Sequence, residues 1–274
     1  MIAEILEWAR EPNGAGFKLR PPQLRALETY WYLRLVEKTP HIIDLYKKLF
    51  TTKRDLHEAL GVSDAAFSEV DYDTTALFEK IALDDEFVRR HKLVTLRETL
   101  TLDYPSYIFA LAMGSGKTAL IGTIIATEFA MAFEYPDGPF VKNALVFAPG
   151  LTIIGALREL AEVPYNRIIP PRFFGHFASS IKLTFTRDGD PDIPIISGSM
   201  YNVVVTNTEK IRIQKDAIRK ADIGNQIQLQ KVVDEARVEL ANRRLQAIAS
   251  LPHLAVFSDE AHHTYGQALD SELK

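Results

Sequence analysis

A glycine-lysine turn, Gly114-Ser115-Gly116-Lys117-Thr118, stands between two apolar runs, Tyr107 to Met113 before it and Ala119 to Ala132 after it. No other stretch limits the fold as tightly. The first run has the length of a buried strand and the second that of a helix, so the segment reads as strand, turn, helix. A second apolar run, Leu254 to Ser258, ends in the acidic turn Asp259-Glu260-Ala261-His262. Short apolar strands that end in polar turns, with helices between them, predict an α/β fold: a parallel sheet flanked by helices, with ligands at the carboxyl ends of its strands.

The first turn has the composition that phosphate binding demands. Backbone N–H groups can wrap around an anion only where no Cβ obstructs them, which Gly114 and Gly116 provide. Ser115 lies between them, Lys117 supplies a positive charge for β- and γ-phosphates, and the Thr118 hydroxyl can ligate magnesium. The helix that follows would direct its N-terminal dipole at the anion. The general phosphate-loop pattern asks for a further glycine five places before Gly116, where this chain has Leu111. An ordinary glycine-rich turn is the competing reading.

The acidic turn supplies complementary chemistry. Asp259 at a strand end can hold magnesium, directly or through water, and Glu260 can orient and deprotonate a water that attacks a γ-phosphate. His262 and His263 raise a zinc alternative, but the chain has neither H-E-x-x-H spacing nor cysteine to complete a zinc site. A surface acidic turn without chemistry is the plainer alternative.

With these residues in view, the chain resembles the superfamily 2 helicases and translocases. LAMGSGKT is similar to their motif I, whose MATGSGKT form also lacks the first glycine, and SDEAHHTYG is similar to motif II in its DEAH form. The doubled histidine, together with LRPPQLRAL at Leu19 to Leu27, most resembles the Res subunits of type III restriction enzymes. The resemblance implies a RecA-like P-loop NTPase domain that uses ATP and Mg2+, with Lys117, Asp259 and Glu260 as catalytic residues and Thr118 and Asp259 as the metal ligands. It implies an adenine contact at Gln23. ALVFAPG at Ala144 to Gly150 resembles motif Ia, which places Pro149 and Gly150 against a nucleic-acid backbone; Thr206 and Asn207 fall where the family has a further strand-binding motif. DNA is the implied partner, alongside a C-terminal motor and nuclease half or a separately encoded subunit, and a modification methyltransferase.

The glutamine reading also has a physical basis of its own. A side-chain amide offers a donor and an acceptor, matching the N6 amine and N7 of adenine. Pro21 and Pro22 open a helix whose Leu24, Leu27, Trp31 and Leu35 share a stripe. A solvent-facing glutamine in the first turn of an amphipathic helix is the alternative. The neighbouring Tyr30, Trp31 and Tyr32 read as packing rather than base stacking, and for Thr206 the competing role is a helix cap before Glu209.

Composition narrows the remaining classes. A hydrophobic share of 47% with 25% charged residues is ordinary for a globular protein, and a net charge of −4 excludes a generally basic nucleic-acid binder while leaving room for local phosphate contacts. The absence of cysteine excludes disulfides and thiol chemistry and fits a cytoplasmic location. The N-terminus has no basic region leading into an apolar core, and Glu128 interrupts the most apolar run, so neither a secretion signal nor a membrane span is expected.

The expected organisation is a mainly helical region, residues 1–105, that carries the glutamine motif, followed by the first RecA-like domain at residues 106–274, incomplete at its C-terminus. Helical stretches such as Leu77 to Leu93 are punctuated by Thr39-Pro40, Gly61 and Tyr104-Pro105. Buried strands are predicted at Ala144 to Gly150 and Asn202 to Asn207, and a half-buried one at Ile181 to Arg187, with a hairpin signal at Arg187 to Asp190. Thr208 to Leu245, with nine Lys/Arg against six Asp/Glu, reads as an amphipathic helix with a solvated face. Only 12 residues follow His262, which leaves no room for the family's second RecA-like domain and its arginines. The expectation is therefore the N-terminal part of a larger motor that binds ATP weakly and hydrolyses it poorly alone. Two other readings stay open: a P-loop ATPase unconnected to nucleic acid, and a non-enzymatic nucleotide-binding, DNA-binding or interaction module.

Overall fold

The computed structural model describes residues 1–10, 19–112, 114–148, 159–185, 201–207 and 246–259. By contacts the chain divides into two compact units, Met1–Glu28 with Ala110–Lys274, and Thr29–Phe109. The glutamine-bearing segment thus belongs with the glycine-lysine turn rather than with the helices that follow it in sequence. Two side-chain ties hold it there, and a third joins its own two helices. Trp8 in α1 (Ile2–Arg10) donates its indole N–H to the Arg167 carbonyl at 2.8 Å, Arg172 forks onto the Glu4 carboxylate, and Arg10 pairs with Glu28 of α2 (Pro21–Trp31).

The first unit is built on a four-stranded sheet of order β2-β3-β1-β4, with strands β1 (Asn143–Ala148), β2 (Ile181–Phe185), β3 (Tyr201–Asn207) and β4 (Leu254–Ser258). All the described pairings are parallel, which establishes the α/β class. Central strands covered on both faces need continuous apolar runs; Ala144 to Val146 and Val203 to Val205 supply them, every one nearly or fully buried. The register is held by a buried polar pair. Asn202 donates its side-chain amide to the Asn143 side-chain oxygen at 2.8 Å, and Asn143 donates to the Pro252 carbonyl at 2.7 Å. Asn143 thereby faces both of its neighbours at the start of β1, and a slip of one residue would strand these buried groups.

Helix α9 (Lys117–Glu134) is enclosed along most of its length, from Leu120 to Ala132. Gly122 permits this: a Cβ there would come within 3.2–3.3 Å of Leu160, Val163 and the Tyr165 hydroxyl. The Tyr165 phenol donates to the Leu160 carbonyl at 2.6 Å, and burial pushes its pKa well above the ordinary tyrosine value. Glu128, the charge that interrupts the apolar run, is fully buried and accepts the Val141 N–H at 2.8 Å just ahead of β1. Among the described residues, no helix is long and apolar enough to cross a membrane.

The apolar run before the turn departs from expectation. Residues 107–112 form no strand, and Ile108 is 77% exposed. A strand exists only through a neighbour's hydrogen bonds. Among the described strand pairings none involves this segment. The segment after β2 carried a hairpin signal; the turn lies outside the described residues, and β3, the next described strand, runs parallel to β2. The amphipathic segment at 208–245 also lies outside the described residues.

The second unit is helical, with α3 (Ile42–Leu49), α4 (Lys53–Leu60), α5 (Asp64–Ser68), α6 (Thr74–Leu83), α7 (Asp85–Arg90) and α8 (Val94–Leu100) around a core that includes Phe67, Leu77, Ile81 and Phe87. Side chains of Thr52, Ser63 and Asp73 cap helix starts, and Gly61 ends α4 in the left-handed conformation. Leu77 to Leu93, predicted as one helical stretch, is broken at Asp84. Its backbone closes α6 while its carboxylate accepts the Phe87 N–H at 2.9 Å to open α7. After Trp31 the helix widens into a π-helical segment, Tyr32–Val36. The wider turn shifts the phase of the apolar stripe, so Leu27 and Trp31 are buried while Leu35 is 37% exposed. Trp31 packs edge-on against Tyr30, ring centres 5.5 Å apart.

Candidate nucleotide site

The turn ahead of α9 is shaped by two glycines in the left-handed region, Gly114 at φ 70° and Gly116 at φ 81°. They are needed for different reasons. A Cβ at Gly114 would meet nothing within 4 Å, so only its backbone angle demands glycine; a Cβ at Gly116 would also lie 2.5 Å from the Gln23 side-chain nitrogen. Ser115 closes the turn by donating its N–H to the Ala112 carbonyl at 3.2 Å. Lys117 is the first residue of α9, and among the described residues no side chain caps that helix start. A helix start without a side-chain cap suits an anion, because the helix dipole is positive there.

One further group fits an anion. The Ser115 hydroxyl is buried, in a residue only 9% exposed, without a hydrogen-bond partner among the described residues. An unsatisfied buried hydroxyl costs free energy, and a phosphate oxygen in the turn would accept its hydrogen. Thr118 and Lys117 are both partly exposed beside it. The donor set of two left-handed glycines, an orphan hydroxyl, a lysine and the start of an 18-residue helix thus suits a phosphate group.

Gln23 stands against this turn. It is 3% exposed, its side-chain oxygen accepts the Arg20 N–H at 2.8 Å, and its side-chain nitrogen donates to the Gly116 carbonyl at 2.8 Å. Both ends of the amide expected to face adenine are thus engaged by the chain's own backbone. Arg20, outside the expected site residues, donates from its guanidinium to the Gly114 carbonyl. The available signal was a basic residue ahead of Pro21-Pro22, three places before Gln23.

The acidic side lies at the carboxyl ends of the strands. Asp259 follows β4, is 9% exposed, and donates its backbone N–H to the Phe147 carbonyl at 2.9 Å. Across β1 from it, Thr206 pairs in register with Phe147 and Asn207 with Ala148. Thr206 is fully enclosed. Glu260, His262, His263, Pro149 and Gly150 lie outside the described residues. Asp259 and Thr118 are of the types magnesium accepts, a cation that takes one or two carboxylates or hydroxyls and keeps several waters. In comparisons with known proteins, no family model, curated protein or solved structure matches this chain.

Proposed function

We propose that this chain is a RecA-like ATP-binding domain of an ATP-dependent DNA helicase or translocase, akin to the motor of type III restriction Res subunits. The observation that carries the reading is the glycine turn ahead of α9: left-handed Gly114 and Gly116, the orphan Ser115 hydroxyl and Lys117 at the uncapped helix start. Parallel strands whose carboxyl ends carry Asp259 and Thr206 support it further, because open α/β sheets bind ligands at that edge.

In this reading Ser115, Lys117 and the first N–H groups of α9 bind and orient the phosphates. Thr118 and Asp259 hold magnesium, which when bound offsets phosphate charge. Glu260 positions the attacking water, and Pro149, Gly150 and Asn207 belong to the face that meets DNA, whereas Thr206, expected there too, is fully enclosed and has no surface to offer it.

Calorimetric titration of the full chain with ATP and magnesium, beside Lys117→Ala, tests the nucleotide part. Saturable binding that Lys117→Ala reduces at least tenfold is expected, in line with the loss of a charge-assisted contact. A wild-type chain that binds no nucleotide refutes it. Fluorescence anisotropy with labelled single- and double-stranded DNA tests the partner, and no binding to either removes the nucleic-acid part.

A further inference from the structure

The glycine turn is gripped from behind by a segment far away in sequence. Two of its carbonyls, those of Gly114 and Gly116, accept hydrogen bonds from the side chains of Arg20 and Gln23. These two donors are coupled, because the Arg20 N–H is itself bound by the Gln23 side-chain oxygen. Arg20 is exposed and Gln23 buried.

Peptide planarity makes this grip consequential. The Gly116 carbonyl and the Lys117 N–H share one rigid plane and point in opposite directions. Fixing the carbonyl, which also accepts the Leu120 N–H at 3.1 Å, therefore aims the first N–H of α9. The Gly114 carbonyl shares its plane with the Ser115 N–H, the group that closes the turn onto Ala112. Holding that plane sets the shape of the turn around the Ser115 hydroxyl.

The geometry points to Arg20 and Gln23 as paired positioning residues that hold the phosphate-facing turn from its outer side, so that Gln23 acts on the phosphates of a nucleotide through Gly116 rather than on its base. This rests on the nucleotide-binding reading above. It differs from a base-reading glutamine in a measurable way: the effect of removing Gln23 is indifferent to the base.

The test uses the full chain and three probes in the presence of magnesium: ATP, GTP and inorganic tripolyphosphate, which has no base. Wild type is compared with Arg20→Ala, Arg20→Lys, Gln23→Ala and Lys117→Ala, with thermal melts alongside. Arg20→Ala and Gln23→Ala are expected to weaken all three probes by a common factor of about five to ten, the scale of one lost hydrogen bond. Arg20→Lys should recover part of the loss, since it keeps a charge and a donor for the Gly114 carbonyl.

Gln23→Ala weakening ATP alone, with GTP and tripolyphosphate untouched, would overturn the proposal in favour of base reading. Arg20 and Gln23 variants that match wild type while Lys117→Ala loses binding would sink the clamp and leave the nucleotide site standing. A wild-type chain that binds no probe removes both. If Gln23→Ala lowers the melting temperature, the exposed Arg20 pair of variants decides, because its side chain contributes nothing to the core.

Discussion

Replacing Gly116 by alanine tests whether this turn is set by backbone angle alone or also by the amide packed against it. At φ 81° an alanine pays about 1–2 kcal/mol for the left-handed conformation. The new Cβ would also lie 2.5 Å from the Gln23 nitrogen, so the amide must leave its place. Moving it breaks the bonds to Gly116 and Arg20 and leaves buried polar groups unsatisfied, a further loss of about 2–3 kcal/mol. Gly116→Ala should therefore destabilise the chain by about 3–5 kcal/mol, whereas Gly114→Ala, with open space around its Cβ, should cost only about 1–2 kcal/mol. Urea unfolding followed by circular dichroism measures both. The decisive arm is Gly116→Ala in a Gln23→Ala background, where the collision is gone and only the angular cost of about 1–2 kcal/mol remains. Equal costs of Gly116→Ala in the two backgrounds would refute the argument.

Two further outcomes follow from other parts of the chain. Asn143→Ala removes the acceptor of the Asn202 amide and the donor to Pro252; loss of about 2–4 kcal/mol is expected, and a change below about 0.5 kcal/mol in the same unfolding assay would contradict it. In the helical unit Glu69 contacts His91, Lys80 and Arg90, and its hydrogen bond with His91 is the main cause holding its carboxyl below the usual range. A depressed carboxyl contributes stability above the ordinary glutamate range and loses it as pH falls through its lowered value. Glu69→Gln should thus flatten the acid limb of a melting-temperature profile below the ordinary glutamate range, and an unchanged slope would rule this out.

What could be read beforehand divides along a physical line. Ala144 to Val146 and Val203 to Val205 were legible as strands because burial on both faces writes itself into continuous apolar runs, and Leu254 to Ser258 carries a similar run although Val256 of this edge strand is exposed. Gly114 and Gly116 were legible because only glycine meets the left-handed requirement cheaply. Tyr107 to Met113 has the same composition as those strands, yet residues 107–112 lack one, because pairing depends on a neighbour that composition does not encode. Asp84 splits a helical stretch through a single carboxylate, and the π-helical turn at Tyr32 rotates Leu35 away from its stripe; both are local bonding choices below the resolution of periodicity. Gln23 was singled out as an adenine contact, whereas its bonding to Gly116 and that of Arg20 to Gly114 arise from a fold-back across the sequence, which no local pattern carries.

The sheet order also bears on how this site comes into being. The parallel pairing of β1 with β3 joins strands beginning at Asn143 and Tyr201, whereas that of β1 with β4 must bring Leu254 back to Asn143, nearly twice as far along the chain. Contacts distant in sequence form late, since chain entropy is lost before they reward it. The turn ahead of α9 can thus take shape on a sheet of three strands, while Asp259 reaches its edge only when the last strand docks. On the proposed role of Asp259 as a magnesium ligand, competence to hold the metal would be acquired only as β4 docks, an order that pulse-labelled hydrogen exchange on β3 and β4 reads directly.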